Sequence, residues 1–218
     1  MKLYHCLNTR SFRPLWALEE LGLKYELIML PFPPRALHKQ YFEINPLGTV
    51  PAFIDGDTFM TESAAICEYL AARYANGRFN VLSHEPAFGR YLNFLHFGEA
   101  TLTFPQTLLL RYGRFESAER RQPQVVDDYS KWVLARLRAV ADRLSENGAD
   151  YLCGDRFTAA DVSVGYALLL AEHIGLAAQF TEPTQRYWQR LKSRPSFTAA
   201  LQAQQRAAAE QGVTVAPF

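Results

Sequence analysis

A carboxylate and a hydroxyl stand next to each other at Glu62-Ser63, where a short apolar segment passes into a helical pattern. Backbone N–H groups at the start of a helix lack intrahelical partners, and together with a serine hydroxyl they can bind a carboxylate. Glu62 can in turn pair with an ammonium group. The pair therefore suits the free α-amino acid end of a ligand, although an ordinary helix cap uses the same residue types.

Upstream of this pair, Pro51 stands at the start of an apolar strand pattern. Proline cannot donate a hydrogen bond to a sheet, and X–Pro bonds are the ones in which the cis form is common. We predict a cis Val50–Pro51 bond that turns Val50 outward, so that its N–H and C=O can pair with an extended peptide. An edge or turn proline is the alternative. The two features together favour a ligand that carries a peptide backbone and a free amino-acid end.

The elements that must position these residues alternate between strand and helix over residues 1–77. Asp55-Gly56-Asp57 indicates a hairpin turn, and the order β-α-β, linker, β-β-α predicts an α/β thioredoxin-like domain. The predicted strands are Lys2–Cys6, Tyr25–Leu30, Val50–Ile54 and Thr58–Met60, and the predicted helices are Ser11–Leu21 and Glu62–Tyr74, with an irregular helical stretch through Lys39, Tyr41 and Phe42.

The rest of the chain has only helical periodicity. Residues 76–86 contain Asn, Gly, Ser and Pro and predict a linker over 78–86, and residues 87–218 predict an all-α domain. Within it, Thr158 and Asp161 have the spacing of a capping box, which is a folding element. The predicted helices are 87–110, 124–146, 158–174, 182–193 and 196–210.

Composition excludes several classes of protein. A formal net charge of +1 over 218 residues gives no sign of binding to nucleic acid or to an anionic membrane. No apolar run has the length of a spanning helix or of a signal peptide. Three widely spaced cysteines fit a reducing compartment, so we expect a soluble, cytoplasmic protein. His96 has no nearby partners for a metal site, and we expect none.

Four segments together resemble the cytosolic glutathione S-transferases, of a bacterial theta-like or nu-like type. The resemblance covers nearly the whole chain and implies the glutathione S-transferase fold. Two segments are similar to the glutathione site of the family: Asn45-Pro-Leu-Gly-Thr-Val-Pro-Ala-Phe and Thr61-Glu-Ser-Ala-Ala-Ile. A third is similar to the first helix and second strand: Arg13-Pro-Leu-Trp-Ala-Leu-Glu-Glu-Leu-Gly-Leu-Lys-Tyr-Glu. The fourth, Phe157-Thr-Ala-Ala-Asp161, is similar to the capping segment of the helical domain.

The resemblance implies glutathione as cosubstrate and assigns its binding residues. Val50, with Pro51, would pair with the cysteinyl backbone of glutathione, and Glu62 and Ser63 would hold the γ-glutamyl end. His38 and Lys39 lie where the family often binds the glycyl carboxylate, with exposed helix residues as the alternative reading. The resemblance also implies a homodimer, and a helical domain that shapes the pocket for a small hydrophobic electrophile.

Three side chains in the loop after the first strand are candidates for activating the glutathione thiol. The family lowers the pKa of this thiol with a Tyr, Ser or Cys, and in theta-like and fungal members a serine often stands four positions before an arginine that corresponds to Arg13. Thr9 occupies the serine's position, with Ser11 and Asn8 as the alternatives. A hydroxyl there can donate to the thiolate, although Thr9 or Ser11 could instead only cap the helix. Cys6 lies within the strand and is predicted to be a buried structural thiol.

These implications favour an enzyme that conjugates glutathione to small hydrophobic electrophiles. Two alternatives stay open at the level of sequence. One is a glutathione-dependent disulfide reductase or peroxidase, and the other is a non-catalytic protein that binds glutathione or apolar ligands. The Asn8-Thr9 loop separates them, because a serine or tyrosine there would have favoured conjugation more strongly.

Overall fold

Four short strands form one mixed sheet in the order β2-β1-β3-β4. β1 pairs with β2 in parallel and with β3 in antiparallel fashion, and β3 and β4 form the predicted hairpin. This confirms the thioredoxin-like order predicted from the sequence. The strands are β1 (Lys2–His5), β2 (Glu26–Met29), β3 (Ala52–Asp55) and β4 (Thr58–Met60).

Nine α-helices lie within residues 1–214, the part of the chain that the computed structural model describes, apart from the side chain of Asn147. None of the described helices has both the length and the apolar character of a membrane span. The helices are α1 (Phe12–Leu21), α2 (Pro34–Leu37), α3 (Ser63–Tyr74), α4 (Phe88–His96), α5 (Phe104–Leu110), α6 (Pro123–Ser145), α7 (Ala159–His173), α8 (Glu182–Lys192) and α9 (Pro195–Glu210).

By packing, the described residues divide into two units, one of Met1–Asn76 together with residues 192–214, and one of Gly77–Leu191. The C-terminal helix α9 therefore belongs to the unit that contains the sheet. There the Trp16 ring packs edge-on against Phe197, with ring centroids 4.9 Å apart, and its indole N–H donates to Ser196 Oγ at 3.0 Å. The division of the sequence into residues 1–77, 78–86 and 87–218 stays a proposal.

In the second unit, α7 is buried along almost its whole length. The predicted capping box at its start is present: the Thr158 side chain accepts from the backbone of Asp161, and Asp161 Oδ2 accepts from the Thr158 N–H at 2.8 Å. α7 also approaches the segment after α4 closely. A Cβ on Gly98 would lie 2.6 Å from the Ser163 carbonyl oxygen, so only glycine fits at this position.

The helix predicted over 87–110 is interrupted by wide turns. α4 and α5 are joined by a π-helical segment, Phe97–Thr103, and a second one, Arg111–Phe115, follows α5. Two residues explain the first interruption: Pro105 has no N–H to donate to the preceding turn, and the Thr103 hydroxyl bonds to the Gly98 carbonyl at 2.7 Å. Apolar periodicity continues through such turns, so the pattern alone predicts a single helix.

Candidate functional site

The two loops that carry most of the candidate residues lie side by side at one edge of the sheet. Tyr4 of β1 pairs with Ala52 of β3 in antiparallel register. The loop that follows β1 is therefore a neighbour of the Val50–Pro51 segment that precedes β3. Cys6 and Val50 belong to the same buried cluster, which confirms that the segments pack together.

The Val50–Pro51 peptide bond is cis, as predicted. Val50 is not turned outward as predicted, since only 7% of its surface is exposed, but within residues 1–214 neither its N–H nor its C=O makes a hydrogen bond. The preceding segment is held from inside the protein, because Tyr41 Oη and Asn45 Nδ2 donate to the Thr49 carbonyl at 2.8 and 2.7 Å. Val50 thus presents its backbone on a fixed support.

Glu62 and Ser63 lie at the start of α3, where Glu62 is the N-cap and is exposed, and Ser63 is the first helical residue and is buried. Arg13 of α1, itself completely buried, donates from Nη1 to Ser63 Oγ at 3.2 Å. A guanidinium can only donate hydrogen bonds, so Ser63 Oγ is the acceptor and its own hydrogen is left for another partner. The contact also joins the beginnings of α1 and α3.

The hydroxyl groups of Thr9 and Ser11 are connected to each other and to the interior. Thr9 Oγ1 lies 2.8 Å from the Cys6 carbonyl, to which it can donate, and 2.8 Å from Ser11 Oγ. Ser11 Oγ lies 2.6 Å from His5 Nδ1. Both side chains are buried, Thr9 with 8% and Ser11 with 0% of its surface exposed. In this arrangement both hydroxyls make hydrogen bonds inside the protein.

Asn8 begins this loop in a left-handed conformation, with φ of 57°. Asparagine is one of the few residues other than glycine that adopts this conformation readily. Gln204 of α9 bonds to both the backbone and the side chain of Asn8, by the Asn8 N–H at 3.2 Å and by Asn8 Oδ1 at 2.8 Å. The C-terminal helix therefore holds the loop that contains all three candidates for thiol activation.

Cys6 is completely buried, and burial raises the pKa of its thiol to about 12. It is a structural thiol, as predicted, because a neutral thiol in an apolar cluster is a poor nucleophile. His38 and Lys39 are exposed at the junction of α2 and a short 3₁₀ turn, Lys39–Glu43, and neither side chain has a hydrogen bond or an ion pair within the described residues. Among the described residues, no group therefore competes with a ligand for these two side chains.

Three further residues at the site had been given no role from the sequence: Arg13, His5 and Gln204. Arg13 and His5 did leave a signal, since each is a polar residue in an otherwise apolar helix or strand pattern. Gln204 left none, because it lies in an alanine- and glutamine-rich helix far along the chain. No three His, Cys, Asp or Glu side chains among the described residues are grouped as a metal site.

Comparison with known proteins assigns both parts of the chain. The model of "Glutathione S-transferase, N-terminal domain" matches residues 1–72, and that of "Glutathione S-transferase, C-terminal domain" matches residues 104–195. The glutathione S-transferase GstA of Escherichia coli O157:H7 is 28% identical over 94% of this chain and 98% of its own. The Zea mays protein "Glutathione S-transferase 3" is 29% identical over 90% of this chain and 91% of its own.

The structure of a bacterial glutathione S-transferase, BphK, in a ternary complex superimposes with a TM-score of 0.82 at 25% identity, over 94% of this chain and all of that one. These similarities extend over both units and include the segments around Val50 and Ser63. The two family models together account for most of the chain. The chain therefore belongs to the glutathione S-transferase family.

Proposed function

We propose that this chain is a glutathione transferase that binds glutathione as a thiolate and conjugates it to small hydrophobic electrophiles. The observation that carries the proposal is the buried Arg13–Ser63 contact, which leaves a hydroxyl hydrogen and the first N–H groups of α3 for a carboxylate. A ligand with a free α-amino acid end fits this arrangement, because Glu62 stands beside it as a partner for the ammonium group.

Glutathione then extends along the edge of the sheet. Its γ-glutamyl carboxylate accepts from Ser63, and its cysteinyl backbone pairs with Val50, whose N–H and C=O have no other partner within residues 1–214. Pro51 shapes this segment. The glycyl carboxylate is held by His38 and Lys39, which are exposed and carry donors. These assignments place the cysteinyl sulfur next to the loop that follows β1.

Thr9 is the proposed activating residue, with Ser11 and Asn8 as alternatives. Lowering a thiol pKa from about 8.5 to about 6.5 requires roughly 2.7 kcal/mol, which is close to one charge-assisted hydrogen bond. The Thr9 hydroxyl can supply that bond if it turns from the Cys6 carbonyl and from Ser11 Oγ toward the sulfur. The positive end of α1 adds to the stabilisation.

The enzyme is proposed to act as a homodimer in the cytoplasm, as in the family that it belongs to. The second substrate is a small hydrophobic electrophile. Disulfide reduction through a protein cysteine is disfavoured, because burial raises the pKa of the Cys6, Cys67 and Cys153 thiols to about 12, and Cys6 and Cys67 are also completely buried.

The test is a panel of three glutathione-dependent reactions with the purified protein: conjugation of chlorodinitrobenzene, reduction of a mixed disulfide, and reduction of a peroxide. In the first, sulfur bonds to the aryl carbon and chloride leaves. We expect conjugation to be the fastest of the three. Reduction that outruns conjugation by tenfold or more would contradict the proposal.

A further inference from the structure

Gln204 of α9 is completely buried. Its side-chain amide contacts two residues, His5 of β1 and Asn8 of the following loop. Its Oε1 accepts from the Asn8 N–H at 3.2 Å and lies 2.9 Å from His5 Nε2, and its Nε2 donates to Asn8 Oδ1 at 2.8 Å. Burying an amide group without hydrogen-bond partners costs free energy, so these contacts hold the Gln204 amide in one orientation. They connect residues almost 200 positions apart in the sequence.

The hydrogen positions follow from the partners. A backbone N–H can only donate, so the Gln204 atom that contacts the Asn8 N–H is the carbonyl oxygen Oε1. The same oxygen must accept from His5. His5 Nε2 therefore carries a hydrogen. Burial lowers the pKa of His5 to about 4, so the imidazole is neutral near pH 7 and Nδ1 has only a lone pair.

This tautomer sets the direction of the next two hydrogen bonds. Ser11 must donate to His5 Nδ1, 2.6 Å away, and the Ser11 oxygen is left as an acceptor for the Thr9 hydroxyl at 2.8 Å. The Thr9 hydrogen is then shared between Ser11 Oγ and the Cys6 carbonyl. In the other tautomer His5 would donate to Ser11, and Ser11 to Thr9.

We propose that Gln204 is a positioning residue for the thiol-activating loop. From α9 it holds Asn8 in its left-handed conformation and fixes the direction of the hydrogen bonds that run from Thr9 through Ser11 to His5. This inference rests on the proposed function. Without Gln204, Asn8 loses two anchors and His5 can adopt either tautomer, so the loop no longer holds the Thr9 hydroxyl at one distance from a bound thiolate and in one orientation toward it.

The test compares Gln204→Met with Gln211→Met. Gln211 comes from the same C-terminal segment and also binds across the sheet, but to β2, since its Oε1 accepts from the Met29 N–H and its Nε2 donates to the Leu27 carbonyl, both at 2.8 Å. In each variant the thiol of bound glutathione is titrated by thiolate absorbance, and the affinity for S-methylglutathione, which has no thiol, is measured.

We expect Gln204→Met to raise the pKa of the bound thiol by about one pH unit and to slow conjugation below that pKa about tenfold. Its affinity for S-methylglutathione should stay within about twofold of the wild type. Gln211→Met should leave the thiol pKa unchanged. An unchanged pKa in Gln204→Met, or an equal change in both variants, overturns the inference.

A measurement on the wild type keeps the inference testable if Gln204→Met does not fold. Nitrogen NMR of the ¹⁵N-labelled protein near neutral pH, without glutathione, should show the hydrogen of His5 on Nε2 and none on Nδ1. A hydrogen on Nδ1 overturns the inference even if glutathione binds normally. If the wild type instead fails to bind glutathione, the proposed function fails and takes the inference with it, whatever the tautomer.

Discussion

At the scale of single residues, Arg13 gives the Ser63 hydroxyl a defined role. The guanidinium is completely buried beneath the start of α3. A guanidinium has no acceptor, so in its hydrogen bond with Ser63 Oγ the arginine is the donor. The serine hydrogen is therefore directed to another acceptor, and a positive charge lies behind it. Both features favour a carboxylate over a neutral group at this position.

Ser63→Ala should weaken glutathione binding by about 1–3 kcal/mol, the usual effect of losing a hydrogen bond to a charged group. Calorimetry measures the affinity. Ser130→Ala is the matched control, because the Ser130 hydroxyl donates to the Val126 carbonyl one turn back in α6 and its loss should leave affinity unchanged. Unchanged affinity in a folded Ser63→Ala variant would remove Ser63 from the site.

The sequence could predict the residues whose chemistry is local. The cis Val50–Pro51 bond, and the place of Glu62 and Ser63 at a helix start, depend on neighbours in the chain. The environment of Thr9 and Ser11 could not be predicted, because it depends on His5 and on Gln204, almost 200 residues away. No periodicity or spacing encodes which hydroxyl donates to which partner.

At the scale of elements, the start of α7 is fixed by one carboxylate with four hydrogen bonds. Asp161 accepts from the Thr158 N–H and hydroxyl, from the Leu152 N–H at 3.0 Å and from Tyr187 Oη at 2.7 Å. Its side chain is completely buried. The capping box thus also ties the preceding loop and α8 to α7.

Thr158→Ala should lower the free energy of unfolding by about 0.5–2 kcal/mol, the usual range for losing an N-cap side chain. Glutathione affinity should be nearly intact, because Thr158 serves folding. Denaturant unfolding gives the first quantity and calorimetry the second. A variant that melts normally but has lost glutathione binding would show that Thr158 has a functional role.

His5 should make the unfolding free energy depend on pH. Burial lowers its pKa to about 4 from 6.5, so below about pH 6.5 the unfolded chain takes up a proton that the folded chain does not. Stability contributed by the neutral imidazole is complete above pH 6.5 and is lost as the pH falls to about 4, by about 3 kcal/mol in total.

The measurement is denaturant unfolding of the wild type and of His5→Gln between pH 7 and pH 4. The difference between the two curves isolates His5, because Asp161, whose pKa is raised by burial and acts in the opposite sense, contributes to both. The wild type should lose more stability on acidification than the variant. Parallel curves would mean that His5 titrates normally in the folded state.

Most elements could be predicted from periodicity, because their apolar faces are continuous. The strands β1 to β4 and the long helices lie within about two residues of the predicted bounds. The wide turn between α4 and α5 could not, since it results from Pro105 and from the Thr103 hydroxyl, which change hydrogen bonding without changing the apolar pattern.

At the scale of the whole molecule, the unit that contains the sheet also includes the helix α9. α9 packs on α1, contributes Phe197 to the contact with Trp16 and supplies Gln204 to the site. Sequence patterns could not attach α9 to this unit, because a helix's partner is set by tertiary contacts and its periodicity shows only that one face is buried.

The protein should be a homodimer in solution, by membership of its family. An isologous interface of the usual size persists at micromolar concentration. Light scattering coupled to gel filtration should therefore give about twice the chain mass of 24.8 kDa across that range. A mass of one chain at every concentration would contradict the expected assembly.

Whether the protein activates glutathione is decided by titrating the thiol of glutathione bound to the wild-type protein, followed by thiolate absorbance. We expect a pKa about two units below the free value of about 8.5, with most of that difference lost in Thr9→Val and retained in Thr9→Ser. Ser11→Ala, which breaks the hydrogen bonds between Thr9 and His5, should raise the pKa by less than Thr9→Val does. A bound thiol that titrates at its free value in the wild type would contradict the account.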